Sequence, residues 1–187
     1  MINFTADIES YFSKLKSTLD NMDRNEINTL INLLIQARDE GRKIFIMGNG
    51  GSASTASHSV CDFNKGLSYG KDRRFKMICL NDSLATISAY SNDVSYEVVF
   101  LEQLKNFLDP RDIVIGISGS GNSKNILLAI DYANSVGAET IGITGYDGGK
   151  LKFIAKHSVN ANVQDMQISE DMHMILNHLC MKIIYNM

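Results

Sequence analysis

Four side chains have the types and spacings needed to move a proton or hold a metal ion. His58 and Asp62 lie four residues apart in a run that reads as helix, so both project from one face. Glu170 and His178 lie eight apart near the C-terminal end, roughly on one face but about 12 Å apart along the axis. His173 lies between them and points elsewhere. A carboxylate and an imidazole converging beside a carbonyl group could carry a proton between neighbouring carbons. His58, Asp62, Glu170 and His178 also make a nitrogen and oxygen set suited to zinc, provided that Glu170 and His178 lean towards each other. The plainer reading is four partly exposed helix residues with no common task. Spacing alone leaves both readings open.

Two glycine-rich loops supply a place for a substrate. IFIMGNGGS (Ile44 to Ser52) and VIGISGSGNS (Val114 to Ser123) share one layout, an apolar strand, a glycine and serine turn, then the start of a helix. Glycines let backbone N–H groups approach an anion, and a helix N-terminus adds partial positive charge. The hydroxyls of Ser52, Ser118, Ser120 and Ser123 add donors without bulk. A third turn, TGYDGG (Thr144 to Gly149), follows the next strand in similar style. Gly48, Gly50 and Ala53 also fit the dinucleotide pattern G-x-G-x-x-[GA]. That fold wants an acidic residue about twenty positions further on, to hold ribose. Asp82 comes about thirty residues after the loop, and two phosphate-type loops suit a phosphorylated sugar better than a nicotinamide cofactor.

The elements that must position these residues can be read from hydrophobic periodicity. Ile8, Tyr11, Phe12, Leu15 and Leu19 predict one helix, and Ile27, Leu30, Ile31, Leu34 and Ala37 a second. Asp23 and Glu26 between them resemble a capping box, and Gly41 reads as a C-terminal cap. This stripe must bury either on the sheet or on another subunit. KIFIM, KMICL, DIVIGIS and ETIGIT then read as buried parallel strands, with HSVNAN a weaker fifth. Helical patterns follow the first strand to about Asn64, run from Ser83 to Leu108, and follow the third strand to about Val136. A short helix follows the fourth strand, and a last one covers Ser169 to Tyr185. This alternation predicts a doubly wound α/β sheet with ligands at the C-terminal ends of its strands.

Composition narrows the function classes. A chain of 187 residues that is 44% hydrophobic suffices for one domain, residues 1–187, with a full core. A net charge of -3 gives no electrostatic case for nucleic acid, and the KDRR cluster at Lys71 to Arg74 reads as a solvated loop. No apolar run approaches the ~20 residues that cross a bilayer, and the opening MINFTADIESYF carries acids where a signal peptide needs a basic start. Cys61, Cys79 and Cys180 lack any C-x-x-C pairing and read as reduced thiols of a cytoplasmic protein, small residues of the core.

GNGGSA followed by His58, then SGSGNS, NDVSYE, TGYDGGKL and EDMHMILNHL, resemble the phosphoheptose isomerase family of sugar-isomerase (SIS) domains. The resemblance runs in order over nearly the whole chain. It implies a three-layer αβα fold with a five-stranded parallel sheet, and residues 1–40 packing against partner subunits of a homotetramer. It also implies a cytoplasmic enzyme that converts sedoheptulose 7-phosphate to D-glycero-D-manno-heptose 7-phosphate, towards lipopolysaccharide or capsule, often with bound zinc. By position, the phosphate falls to Ser118, Gly119, Ser120 and Ser123, while Asn49, Gly50, Gly51, Ser52, Asn92, Asp93 and Glu170 fall to the sugar. The catalytic pair falls on Asp62 and His178, and the metal ligands on His58, Asp62, Glu170 and His178.

The chain departs from the family pattern at four of these places. A glutamate is shortened to Asp62, an arginine becomes Gly66, a threonine becomes Gly119 and a glutamine becomes Glu170. Losing a methylene retracts a carboxylate by roughly 1 Å, a misplacement worth on the order of 10²-fold in rate. Relatives that bind the replication initiator share the fold and the TGYDGG turn but lack the acid and histidine pair. Asp62 and His178 therefore favour an enzyme over a non-catalytic SIS module.

Overall fold

A computed structural model describes residues 1–187. The two apolar stripes that open the chain form α1 (Thr5–Asn21) and α2 (Arg24–Glu40). Asp23 caps α2 by accepting from Asn25 N at 2.7 Å and Glu26 N at 3.4 Å. The Glu26 carboxylate does not close the expected box; it accepts from Asn160 N instead, at 3.4 Å. Gly41 ends α2 in the left-handed conformation, with φ 67°, which glycine adopts without strain.

Five strands follow, β1 (Lys43–Gly48), β2 (Lys76–Cys79), β3 (Ile113–Ser118), β4 (Glu139–Thr144) and β5 (His157–Asn160). All pair in parallel in the order β2-β1-β3-β4-β5. The helices between them are α3 (Gly51–Cys61), α4 (Leu84–Asp93), α5 (Val99–Phe107), α6 (Lys124–Val136) and α7 (Leu151–Ile154), and α8 (Met166–Tyr185) closes the chain. α3 runs on into a π-helical turn over Asp62–Gly66, and a 3₁₀ turn at Tyr96–Val98 precedes α5. The long helical pattern of residues 83–108 is thus broken in two.

Alternation along the strands sorts the core. Ile44 and Ile46 of β1 point into a cluster shared with α2, α3 and α8, whereas Phe45 and Met47 point into a second cluster under α5, α6 and α7. Burial on both faces is why these strands read as continuous apolar runs. The α2 stripe, Ile27, Leu30, Ile31, Leu34 and Ala37, is buried against the chain's own sheet, so it needs no second subunit. α1 divides instead. Leu15 and Leu19 pack on the core while Ile8, Tyr11 and Phe12 stay exposed. Lys14 ties α1 to Asp165 at 2.7 Å, and the Tyr11 hydroxyl donates to Asp171 Oδ2 at 2.6 Å. That hydrogen bond to a carboxylate pushes the Tyr11 pKa up to about 12. Cys79 and Cys180 are core residues as expected, but Cys61 is exposed, because it ends α3 on the solvent side.

The order 2-1-3-4-5 reverses direction between β1 and β3, so the loops after these two strands flank the crevice where such sheets bind ligands. The TGYDGGK turn does not form a third ligand loop. It buttresses the β3 loop, with Gly145 N donating to Gly119 O, Leu151 N to Gly121 O and Lys150 N to Asn122 Oδ1. Gly121 lies so close to the Gly148 carbonyl that a Cβ there would overlap it, and its φ of +65° also excludes side chains. Gly121→Ala should therefore destabilise the fold by about 2 kcal/mol or more, read as a lowered urea midpoint.

His173 lies in the core on α8, 3% exposed, with neither ring nitrogen hydrogen-bonded. It lines a small cavity with Leu30, Ile117, Ile143 and Leu176, and the other titratable group there is Cys180, whose thiol burial pushes up to about 12. Burial pushes the His173 pKa down from 6.5, against a smaller opposing pull from the Thr144 backbone. The unfolded chain therefore binds the proton more readily, so this contribution to stability is full above about pH 6.5 and is lost as pH falls below it. Between pH 7 and 5, His173→Leu should flatten the fall in melting temperature measured for the parent protein.

Candidate active site

The β1 loop is shaped by what packs on it. Gly48 meets Ser52 so closely that a Cβ would collide, and its N–H and carbonyl are held by the Asn81 amide at 3.1 and 2.8 Å. Gly50, with φ 55°, turns the chain into α3. Asn49 is fixed on both sides. Its amide exchanges two 2.9 Å hydrogen bonds with Asn125, and its Oδ1 also accepts from the Tyr96 hydroxyl at 2.7 Å. One N–H of Asn49 is left for a ligand.

The β3 loop faces it. Ser118 and Ser123 share a 3.1 Å hydroxyl hydrogen bond, Ser120 Oγ accepts from Asn122 N, and Ser123 stands just before α6 with its side chain not bonded to the helix's free N–H groups. The N-terminus of α6 thus opens beside three hydroxyls, a cradle for an anion. Gly119 has Met166 where a side chain would go, with Sδ 2.8 Å from a Cβ built there. Asn49, Gly50, Gly51, Ser52, Ser118, Gly119, Ser120, Ser123 and Glu170 line one cleft of about 310 Å³, together with Ile117 and Met166. Glu170 is its one ionisable side chain, and it lies against Gly51, where any Cβ would meet its carboxylate.

From that cleft α3 and α8 run side by side in the same direction. Gly51 faces Glu170, His58 faces His178, Asp62 faces Asn177, and Gly66 faces Met181. The π turn carrying Asp62 is pinned to β2, because the Asn64 amide brackets the backbone of Met77 at 2.7 and 3.0 Å. Ser68 adds a second tie, donating to Phe63 O and accepting from Phe75 N. Two elements thereby hold three donor atoms together. His58 Nε2 is 3.0 Å from His178 Nε2 and 3.2 Å from Asp62 Oδ2, and His178 Nε2 is 3.7 Å from the same oxygen. Zinc bonds of 2.0–2.1 Å at tetrahedral angles give edges of about 3.3 Å, so the three atoms fit one face of a metal's tetrahedron.

Glu170 is not in that group. Eight residues of α8 separate it from His178, about 12 Å along the axis, and its side chain turns onto Gly51 rather than back along the helix. Asn92 and Asp93 are not brought to the cleft either. They end α4, where Asn92 donates to Asp93 at 2.8 Å and Asp93 borders a separate depression with Thr86 and Tyr90. Three residues that the sequence reading missed do reach the site. Tyr96 and Asn125 fix Asn49, and Asn177 donates to Asp62 Oδ2 at 2.8 Å. The one sequence signal was a polar residue, Asn177, interrupting the apolar flank beside Leu176.

With the site described, its relatives can be placed. The SIS-domain family matches residues 9–145. A probable phosphoheptose isomerase of Thermoplasma acidophilum is 34% identical over 92% of this chain and 94% of its own. A phosphoheptose isomerase of Helicobacter pylori is also 34% identical, over 88% of this chain and 85% of its own. The structure of a phosphoheptose isomerase from Neisseria gonorrhoeae, 23% identical, superposes with a TM-score of 0.90 over 99% of this chain and all of that one, which establishes the shared fold. No helix of this chain is long and apolar enough to cross a membrane. By sequence and by fold, the chain belongs to the SIS-domain family and, within it, to the phosphoheptose isomerases.

Proposed function

We propose that this protein is a ketose–aldose isomerase that converts sedoheptulose 7-phosphate to D-glycero-D-manno-heptose 7-phosphate, a cytoplasmic step towards the heptose of lipopolysaccharide or capsule. The observation that carries the reading is the single path from a serine-rich anion cradle, past Asn49 and Glu170, along α3 and α8 to His58, Asp62 and His178.

Each residue has a task that its surroundings allow. Ser118, Ser120, Ser123 and the α6 N-terminus hold the phosphate, and binding energy spent there positions the distant reacting carbons. Asn49 donates its spare N–H to a sugar hydroxyl, while Gly50, Gly51 and Ser52 form the wall beside it. Glu170 accepts from sugar hydroxyls. Asp62 uses Oδ2 for its neighbours, leaving Oδ1 without a partner to take the proton from the hydroxymethyl carbon. His178, with no metal on its Nε2, moves the proton between the two neighbouring oxygens, which gives an enediolate that Asp62 reprotonates at the adjacent carbon. His58, Asp62 and His178 would hold zinc, which when bound supplies a Lewis acid at this site.

The exposed Ile8, Tyr11 and Phe12 face of α1 suits self-association, in line with a homotetramer. Asn92 and Asp93 lie outside the cleft of one chain and would contact a sugar only where a second copy places them against its cleft.

Incubation of the purified protein with sedoheptulose 7-phosphate should yield the aldose; binding without turnover, with and without zinc, would instead favour the non-catalytic module. His178→Ala should lower kcat by about 10²- to 10⁴-fold at an unchanged melting temperature. Glu170→Gln removes a negative charge from a cleft that must take a phosphate dianion, and should lower KM severalfold in steady-state assays.

A further inference from the structure

We propose that Asn177 is the positioning residue for Asp62, the amide that sets its carboxylate beside the two imidazoles. Asn177 immediately precedes His178 on α8 and is 9% exposed. Its side chain borders the same small cavity as Leu30, Leu34, Phe63 and Leu176, a wall that leucine would line better than an amide. A single side-chain hydrogen bond accounts for its polarity, the 2.8 Å donation from Nδ2 to Asp62 Oδ2.

That bond crosses from α8 to the π turn at the point where reach is short. Asp62 carries the shorter of the two acidic side chains, by one methylene. Its Oδ2 nonetheless lies 3.2 Å from His58 Nε2 and 3.7 Å from His178 Nε2. Asn177 donates to that same oxygen at 2.8 Å, the shortest of its three contacts, and draws the carboxylate towards α8 with Oδ1 left without a partner. Of the three partners, the amide is the one whose donor role does not depend on a ring tautomer. Amides that orient a metal ligand in this way are worth about 10- to 100-fold in metal affinity.

The kinetic half of this inference rests on the isomerase reading; the metal half does not. Asn177→Leu keeps the volume and removes the donor. Titration calorimetry with zinc alone should show affinity about 10- to 100-fold weaker than the parent's. Turnover should fall by a similar factor at nearly unchanged KM, while the melting temperature holds or rises. A purely structural role would move stability and activity down together. The double variant Asp62→Glu/Asn177→Leu should recover most of both losses, because the longer carboxylate reaches without the amide. Should the leucine variant fail to fold, Asn177→Ala carries the same readouts. Parent-like zinc affinity and turnover in the single variant, or no recovery in the double, would overturn the proposal. A parent inactive on sedoheptulose 7-phosphate overturns the isomerase reading and leaves zinc affinity to decide this one. A parent that neither turns over nor binds zinc overturns both.

Discussion

The close, same-direction approach of α3 to α8 is the constraint on which the rest of the site depends. These helices belong to distant parts of the chain, yet they bring His58 and His178 to 3.0 Å and Asp62 to Asn177 at 2.8 Å. Two glycines make the approach possible. Gly51 and Gly66 lack side chains where Glu170 and Met181 lie, so the helices touch at both ends of the shared stretch. A helix pair clamped at two levels leaves little freedom for what stands between them. The sheet supplies the remaining reference points, since α3 springs from β1 and the π turn is bonded to β2.

Two glycines outside the strands meet α8 in the same way. Gly119 faces Met166, and Gly66 faces Met181. In both cases a long, flexible side chain of α8 occupies the space that a glycine leaves. Asp62 and Asn177 form a third such pair across the same boundary. Residues of the β3 loop and of the stretch from α3 through the π turn are thus each matched by a side chain of one helix, α8.

What was legible in the sequence follows from what sets each feature. Strands buried on both faces announce themselves as apolar runs, and the glycine and serine loops do so because close backbone approach admits few residue types. The serines and glycines of both loops accordingly meet in one cleft. Glu170 was harder to place, because helical spacing gives a face but not the direction in which a long side chain leans; it leans onto Gly51. Asn92 and Asp93 end up away from the cleft because α4 stops there, a boundary that the uninterrupted helical pattern of residues 83–108 concealed. Tyr96, Asn125 and Asn177 act through other side chains, so local pattern marks none of them except Asn177, a polar residue on an apolar flank.

The π turn over Asp62–Gly66 carries one more consequence. Such a turn is, in effect, a helix holding a surplus residue, and its signature is the hydrogen bond from Leu67 N to Asp62 O, five residues back. Deleting one residue between them would turn that bond into an ordinary helical one, and what lies beyond the turn, Ser68 and its tie to Phe75 included, would keep its place. The bulge already absorbs the extra residue, so the rest of this corner does not feel it. What cannot be removed is Asn64, whose amide joins the turn to the edge strand at Met77, or Asp62 itself. Residues 63, 65 and 66 are thus the part of this turn whose number can change while the seam to the sheet stays closed.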